Sequence, residues 1–248
     1  ILISMELFTN LIAETGIMQL LSVRLATLSG GKKRASLAFF GALMFLISSF
    51  LNNITAVMIV LPVMFVLLKT IDADEKYVCT FFAVILALSN TGGAASPVGD
   101  FPAVIIMTSG ITSFSGYLIH AFPLFAATSV ILAGFWITRI RREDDDGSVR
   151  MLAVSCLKSQ YKNIQVRYDV LKPLILILAG MFFAWSFLPQ DIVPPEVISV
   201  LGYAAAAAVC SLKGIRVLQS IDFKSVLTIA AFLFLAETVS QTGILSVM

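Results

Sequence analysis

Two short polar clusters interrupt an otherwise apolar chain. The first is Asn52, Asn53 and Thr55. The second is Ser89, Asn90, Thr91, Gly92, Gly93, Ser96 and Asp100. Amide, hydroxyl and backbone carbonyl oxygens are neutral donors. Such oxygens suit a weakly held, exchangeable cation such as Na⁺. Asn53, Thr55 and Asn90 are the side chains expected to ligate it. Gly92 and Gly93 are expected to let the backbone unwind at little steric cost and expose further carbonyls. Asp100 is the acid most closely joined to the second cluster. It could bind a cation or carry a coupled proton; its plainer role is to cap the helix that follows, with Pro102 in the first turn.

Other candidates carry less. Glu14 and Glu237 read as interfacial acids near helix ends. His120, the only histidine, lies beside Tyr117 and Phe122 and reads as an interfacial residue. Cys79, Cys156 and Cys210 show neither metal spacing nor a disulfide pattern. No HExxH or GxSxG motif occurs. Val98-Gly99-Asp100 approaches the Gly-x-Gly-Asp of intramembrane aspartyl proteases, but Pro97 stands where the first Gly belongs. Tyr168-Asp169 falls in a later polar loop. No enzymatic activity is expected.

The elements that must position these clusters are membrane helices. Of 248 residues, 58% are apolar and 13% charged. A soluble domain has about 25% charged residues. The net charge of +2 is too small to imply a nucleic-acid partner. Apolar blocks cover about 1–14, 36–69, 77–108, 117–138, 173–188, 197–212 and 225–248. A crossing needs ~20 residues. The block 36–69 divides at Asn52-Asn53 into two arms of about sixteen residues, each short for a full crossing. It reads as a re-entrant hairpin. The block 77–108 breaks at 89–100, either as a second hairpin or as one span with an unwound centre. Irregular backbone at membrane depth must be buried in protein or line a cavity. Residues 17–28 read as an interfacial amphipathic helix.

Charge decides between these alternatives. If 36–69 is a hairpin and 77–108 one broken span, loops 24–34, 69–76, 139–172 and 213–224 share a side. They hold all seventeen Lys and Arg residues, and loops 109–116 and 189–195 hold none. The positive-inside rule makes the first side cytoplasmic. The loop 139–172, with Glu143, Asp144, Asp145 and Asp146, reads as a solvated connector.

An internal echo adds to this. Glu14-Thr15-Gly16-Ile17 returns as Gln241-Thr242-Gly243-Ile244, each after an apolar helix that begins near a Leu-Phe pair. The assigned topology runs the two helices in opposite directions. Inverted repeats with broken helices mark secondary transporters. The expected division is a first-repeat core over 1–138, a cytoplasmic loop over 139–172, two connecting spans over 173–212 and the start of a second repeat over 213–248. Both ends fall in apolar runs, so the second repeat is expected to continue past Met248.

These residues resemble a known group. Phe50-Leu51-Asn52-Asn53-Ile54-Thr55-Ala56-Val57, followed by Leu61-Pro62-Val63, resembles the hairpin motif of the ion transporter superfamily. Ser89 through Asp100 resembles its broken helix. The Ser-Pro-Val-Gly-Asp portion is most similar to NhaD-type sodium/proton antiporters. The wider pattern is similar to arsenite permeases and the melanosomal P-protein, and more distantly to dicarboxylate and citrate carriers. The resemblance implies an all-α polytopic membrane protein, an inverted-repeat secondary transporter with a re-entrant hairpin, a broken helix and a truncated second repeat. It implies ion transport by alternating access, with Na⁺/H⁺ antiport leading and oxyanion export or carboxylate transport behind. A channel-like or partner-binding subunit is the reading from another class. Two departures stand out: Asn52 replaces the Asp expected at the hairpin tip, and Ala103 replaces an Asn expected after Gly-Asp. No cofactor is expected beyond bound Na⁺. The expected partners are a small inorganic ion and the lipid bilayer, with a homodimer allowed. The expected location is a prokaryotic cytoplasmic membrane or an internal membrane derived from it.

Overall fold

The charged punctuation of the chain becomes helix ends. In the computed structural model, Asp74 caps a helix by accepting a hydrogen bond from the Tyr77 N–H at 3.3 Å. Lys33 opens another and pairs with Asp74 at 3.2 Å. The structure describes residues 1–51, 53–108, 112–140, 154–156, 159, 161–188, 192–215 and 217, with isolated positions between 227 and 238. Nine helices of eight residues or more are described: α1 (Leu2–Ala13), α2 (Ile17–Leu28), α3 (Lys33–Phe50), α4 (Asn53–Thr70), α5 (Glu75–Ala94), α6 (Phe101–Thr108), α7 (Phe114–Arg139), α8 (Tyr168–Phe187) and α9 (Pro195–Leu212). Among the described residues, α3, α5, α7, α8 and α9 are long and apolar enough to cross a membrane. The bent pair α1–α2 makes up to six.

The charged loops gather at one end. Lys33 meets Asp74, and the Tyr77 hydroxyl donates to the Lys33 carbonyl at 2.7 Å. Arg34 Nε donates to the Ile140 carbonyl at 2.9 Å. The Arg167 N–H reaches the Thr15 carbonyl at 3.0 Å, and its guanidinium reaches the Lys213 carbonyl at 2.6 Å. At the opposite end Phe114 stacks on Trp185, with ring centroids 5.3 Å apart. The Trp185 indole donates to the Pro195 carbonyl. Because α7 and α8 share that second end, Ile140 and Arg167 share the first. This is the loop grouping that the Lys/Arg distribution implies.

The block 36–69 is a helical hairpin. Helix α3 starts, and α4 ends, at the charged end. Each arm has eighteen residues, two more than expected, because Lys33 and Arg34 lie within the first turn of α3 and α4 takes in Asn53 and Thr70. Asn52 lies outside the described residues, as do most of 139–160 and of 213–248, Glu237 and the Gln241–Ile244 echo included. Helix α2 leaves α1 at 63°. Its start lies by Thr15, which accepts from the Arg167 N–H, and its end lies by Lys33.

The break in 77–108 falls later than expected. Helix α5 continues through Ser89, Asn90, Thr91, Gly92 and Gly93 and ends at Ala94. The irregular segment is 95–100. Close packing explains the glycines instead. A Cβ on Gly92 would sit 2.4 Å from the Phe45 carbonyl oxygen, so Gly92 lets α5 press against the backbone of α3. Phe40 and Phe81 pack edge to face along the same seam.

Candidate functional site

The end of α3, the start of α4, the last turns of α5 and the 95–100 break converge on one point. There the Asn53 amide nitrogen donates to Asn90 Oδ1 at 2.7 Å. Ser48 and Ser89, both fully buried, share a hydrogen bond of 2.7 Å between their hydroxyls. Ser89 also donates to Asn53 Oδ1 in a short contact, and Ser48 Oγ lies 3.4 Å from the same oxygen. Four neutral side chains from three helices thus form one continuous oxygen-rich cluster. Asn90 is exposed on its outer side.

The break seals the C-terminal end of α3. The buried Ser96 hydroxyl donates to the Ser49 carbonyl, satisfying a carbonyl that a helix end otherwise leaves open. A Cβ on Gly99 would lie 2.5 Å from the Gly93 carbonyl oxygen and 2.6 Å from that of Ser48. Only glycine lets the break wedge between α3 and α5. Asp100 directly precedes α6, and its carbonyl accepts from the Val104 N–H at 3.3 Å. It lies against Gly93, three residues past Asn90. That is the capping position expected of it.

The structure divides the other expected residues. Helical neighbours one or two positions apart do not share a face. Asn53 meets Asn90, whereas Thr55 turns to α1 and hydrogen-bonds Glu6 Oε1 at 3.0 Å. Thr91 turns to α7 and shares a 2.7 Å hydrogen bond with Ser129. The set Asn53, Thr55 and Asn90 therefore occupies two adjoining pockets of polarity. Outside the site, His120 bonds its own helix at the Gly116 carbonyl, and Glu14 is exposed at the end of α1.

Sequence reasoning passed over Glu6, Asn10 and Ser48. Glu6 is 2% exposed in the middle of α1. Asn10 Oδ1 lies 3.3 Å from the Thr55 hydroxyl. The available signal was spacing: Glu6 and Asn10 stand one turn apart in an apolar helix. Among the described residues, no group of three or more His, Cys, Asp or Glu could hold a metal ion.

A family model described as "Citrate transporter" matches residues 1–248. The chain belongs to the citrate transporter family. Within the ion transporter superfamily, it is an integral, multi-pass membrane protein. It is 25% identical over 248 residues to the "46 kDa membrane protein" of Mycobacterium leprae, covering 99% of this chain and 56% of the relative. It is 22% identical over 253 residues to an "Uncharacterized transporter" of Mycobacterium tuberculosis, covering 98% and 56%. The "P protein" of Mus musculus is 27% identical over 146 residues, 56% of this chain and 17% of that protein. This citrate transporter family chain spans about half the length of the mycobacterial relatives it matches.

Proposed function

We propose that this chain carries one half of the ion site of a secondary active transporter that exchanges a monovalent cation, Na⁺ first, for protons by alternating access. One observation carries the proposal: the Asn53–Asn90 pair, backed by Ser48 and Ser89, sits where a hairpin tip meets a broken helix. Neutral oxygens hold Na⁺ loosely enough to release it. The C-terminal end of α3 presents partial negative charge to the same point. Asp100 adds a carboxylate at the start of α6. The second half of the site belongs to the repeat expected beyond Met248, and the mycobacterial relatives are long enough to hold one. Their bacterial source supports a cytoplasmic membrane, with the Lys/Arg-rich end inside.

A second reading is favoured by the family description itself. A carboxylate such as citrate would be the substrate, and Na⁺ or a proton would drive it. The N-terminal ends of α4 and α6 both point to the site region, and helix N-termini favour anions.

The test uses the full-length protein in proteoliposomes with an internal pH dye. Exchange predicts that added Na⁺ or Li⁺ dissipates an imposed pH gradient without citrate. Pulse-labelled citrate uptake, with no Na⁺-driven pH change in its absence, would replace exchange with the carboxylate reading.

A further inference from the structure

A cleft opens at the charged end, away from the Asn53–Asn90 cluster, where the starts of α3 and α5 meet the end of α7. It encloses about 610 Å³, within the range of ligand pockets. Among the described residues its walls carry three cations, Lys33, Lys76 and Arg139, and one acid, Asp74. Lys33 pairs with Asp74 at 3.2 Å and stands 5.3 Å from the centre of the Tyr77 ring. The positive excess of the cleft therefore comes from Lys76 and Arg139, both exposed. The Arg139 guanidinium lies over the Phe135 ring at 4.9 Å. That stacking holds a planar fork of donors suited to phosphate oxygens.

The cleft continues into the apolar layer. Thr80 and Trp136 also wall a second groove of about 330 Å³, which runs along α5 past Cys79, Ala83 and Ala87 and along α7 to Leu132. Cys79, Ala83 and Ala87 stand four residues apart on one face of α5, and their small side chains leave the groove open. From Thr80 to Ala87 it descends seven residues, ~10 Å of helix. Among the described residues none of its walls is charged. Beside it, Ile131 and Phe135 of α7 are exposed apolar side chains, as a lipid-facing surface requires. Trp136 stands at the junction, the level at which membrane proteins place aromatic belts.

A free phosphate ester or small carboxylate would fill only the upper cleft. A ligand that fills both parts needs an anionic head and an apolar chain. We propose that the joined clefts bind an anionic phospholipid of the Lys/Arg-rich leaflet, with its phosphate between Lys76 and Arg139 and one acyl chain in the groove against Ala83, Ala87 and Leu132. Basic pockets between membrane helices on the cytoplasmic side take such head groups. The lipid bridges α5 and α7, the two helices that the Thr91–Ser129 hydrogen bond joins further along α5. The site is independent of which ion the protein moves.

The experiment titrates the full-length protein in detergent with dioleoyl phosphatidylglycerol and counts bound lipid by native mass spectrometry, with dioleoyl phosphatidylcholine as the comparison. Wild type is expected to bind phosphatidylglycerol more tightly, by about fivefold for each of the two cations. Lys76→Gln and Arg139→Gln are each expected to weaken it about fivefold. Lys69→Gln, at the same end but outside the cleft, is expected to leave it unchanged. Ala83→Leu fills the groove and is expected to lower binding with both cations in place. Equal affinity for the two lipids, or equal losses in Lys69→Gln and Lys76→Gln, would overturn the proposal. So would full displacement of the lipid by sn-glycerol 1-phosphate together with wild-type binding in Ala83→Leu, which would assign the cleft to free phosphate esters. If a charge variant fails to fold, the phosphatidylcholine comparison and Ala83→Leu still decide.

Discussion

The amide of Asn53 and the amide of Asn90 lie 2.7 Å apart, joining the first residue of α4 to the last turns of α5 across 37 positions of sequence. The pair ties the hairpin to the broken helix. Anything that moves α5 against α3 and α4 must break or remake it, and a cation that takes Asn90 Oδ1 must displace the Asn53 donor. Binding and helix movement are therefore linked at one hydrogen bond.

The close seam that holds this pair in place predicts a large effect from a small change. Gly92→Ala places a methyl 2.4 Å from the Phe45 carbonyl oxygen. Backbone cannot yield as a side-chain tip does, so the cost is about 1–3 kcal/mol. Gly134→Ala meets nothing within 4 Å and is expected to be neutral or slightly stabilising. Thermal unfolding of the purified variants by tryptophan fluorescence measures both. Equal midpoints would contradict the packing role of Gly92.

Acid should weaken the charged end in a defined window. The hydrogen bond from Lys33 holds the Asp74 carboxyl below the usual carboxylate range, assisted by the Lys33 charge and the Tyr77 N–H. A lowered folded-state pKa gives stability that is present above the ordinary value of ~4 and lost as pH falls through the lowered one. Asp74→Ala removes the cap of α5 as well, at about 1 kcal/mol. Its midpoint is expected below wild type at neutral pH, with the gap narrowing below about pH 4. A gap that widens on acidification has the wrong sign.

Topology is open to labelling. Cys156 is exposed in the segment that follows the charged end, and Cys210 is buried. With Cys79 replaced by Ser, an impermeant maleimide should label inside-out vesicles at Cys156 and leave intact cells unlabelled. The reverse pattern would place the Lys/Arg-rich loops outside.

Much of this arrangement was readable because charge and apolar length are strong signals in a membrane. The positions of Lys33, Arg34, Lys69 and Arg139 mark helix ends, and the hairpin at 51–52 follows from two apolar arms around Asn-Asn. The start of the break was not readable. Gly92 and Gly93 look the same in sequence whether they unwind a helix or admit a neighbour, and only the approach of Phe45 decides. Thr55 was grouped with Asn53 by proximity in sequence, but a two-residue step turns it to another face. Glu6 was passed over because one acid in an apolar helix gains its meaning from Thr55, which lies 49 residues away.

The central claim is that the tip–α5 cluster binds a cation, and direct ²²Na⁺ binding to the purified full-length protein tests it. Wild type should bind saturably, and Asn90→Ala should weaken binding about tenfold, the equivalent of one lost hydrogen-bonding ligand, while its unfolding midpoint stays close to wild type. Undiminished ²²Na⁺ affinity in well-folded Asn90→Ala would contradict the account.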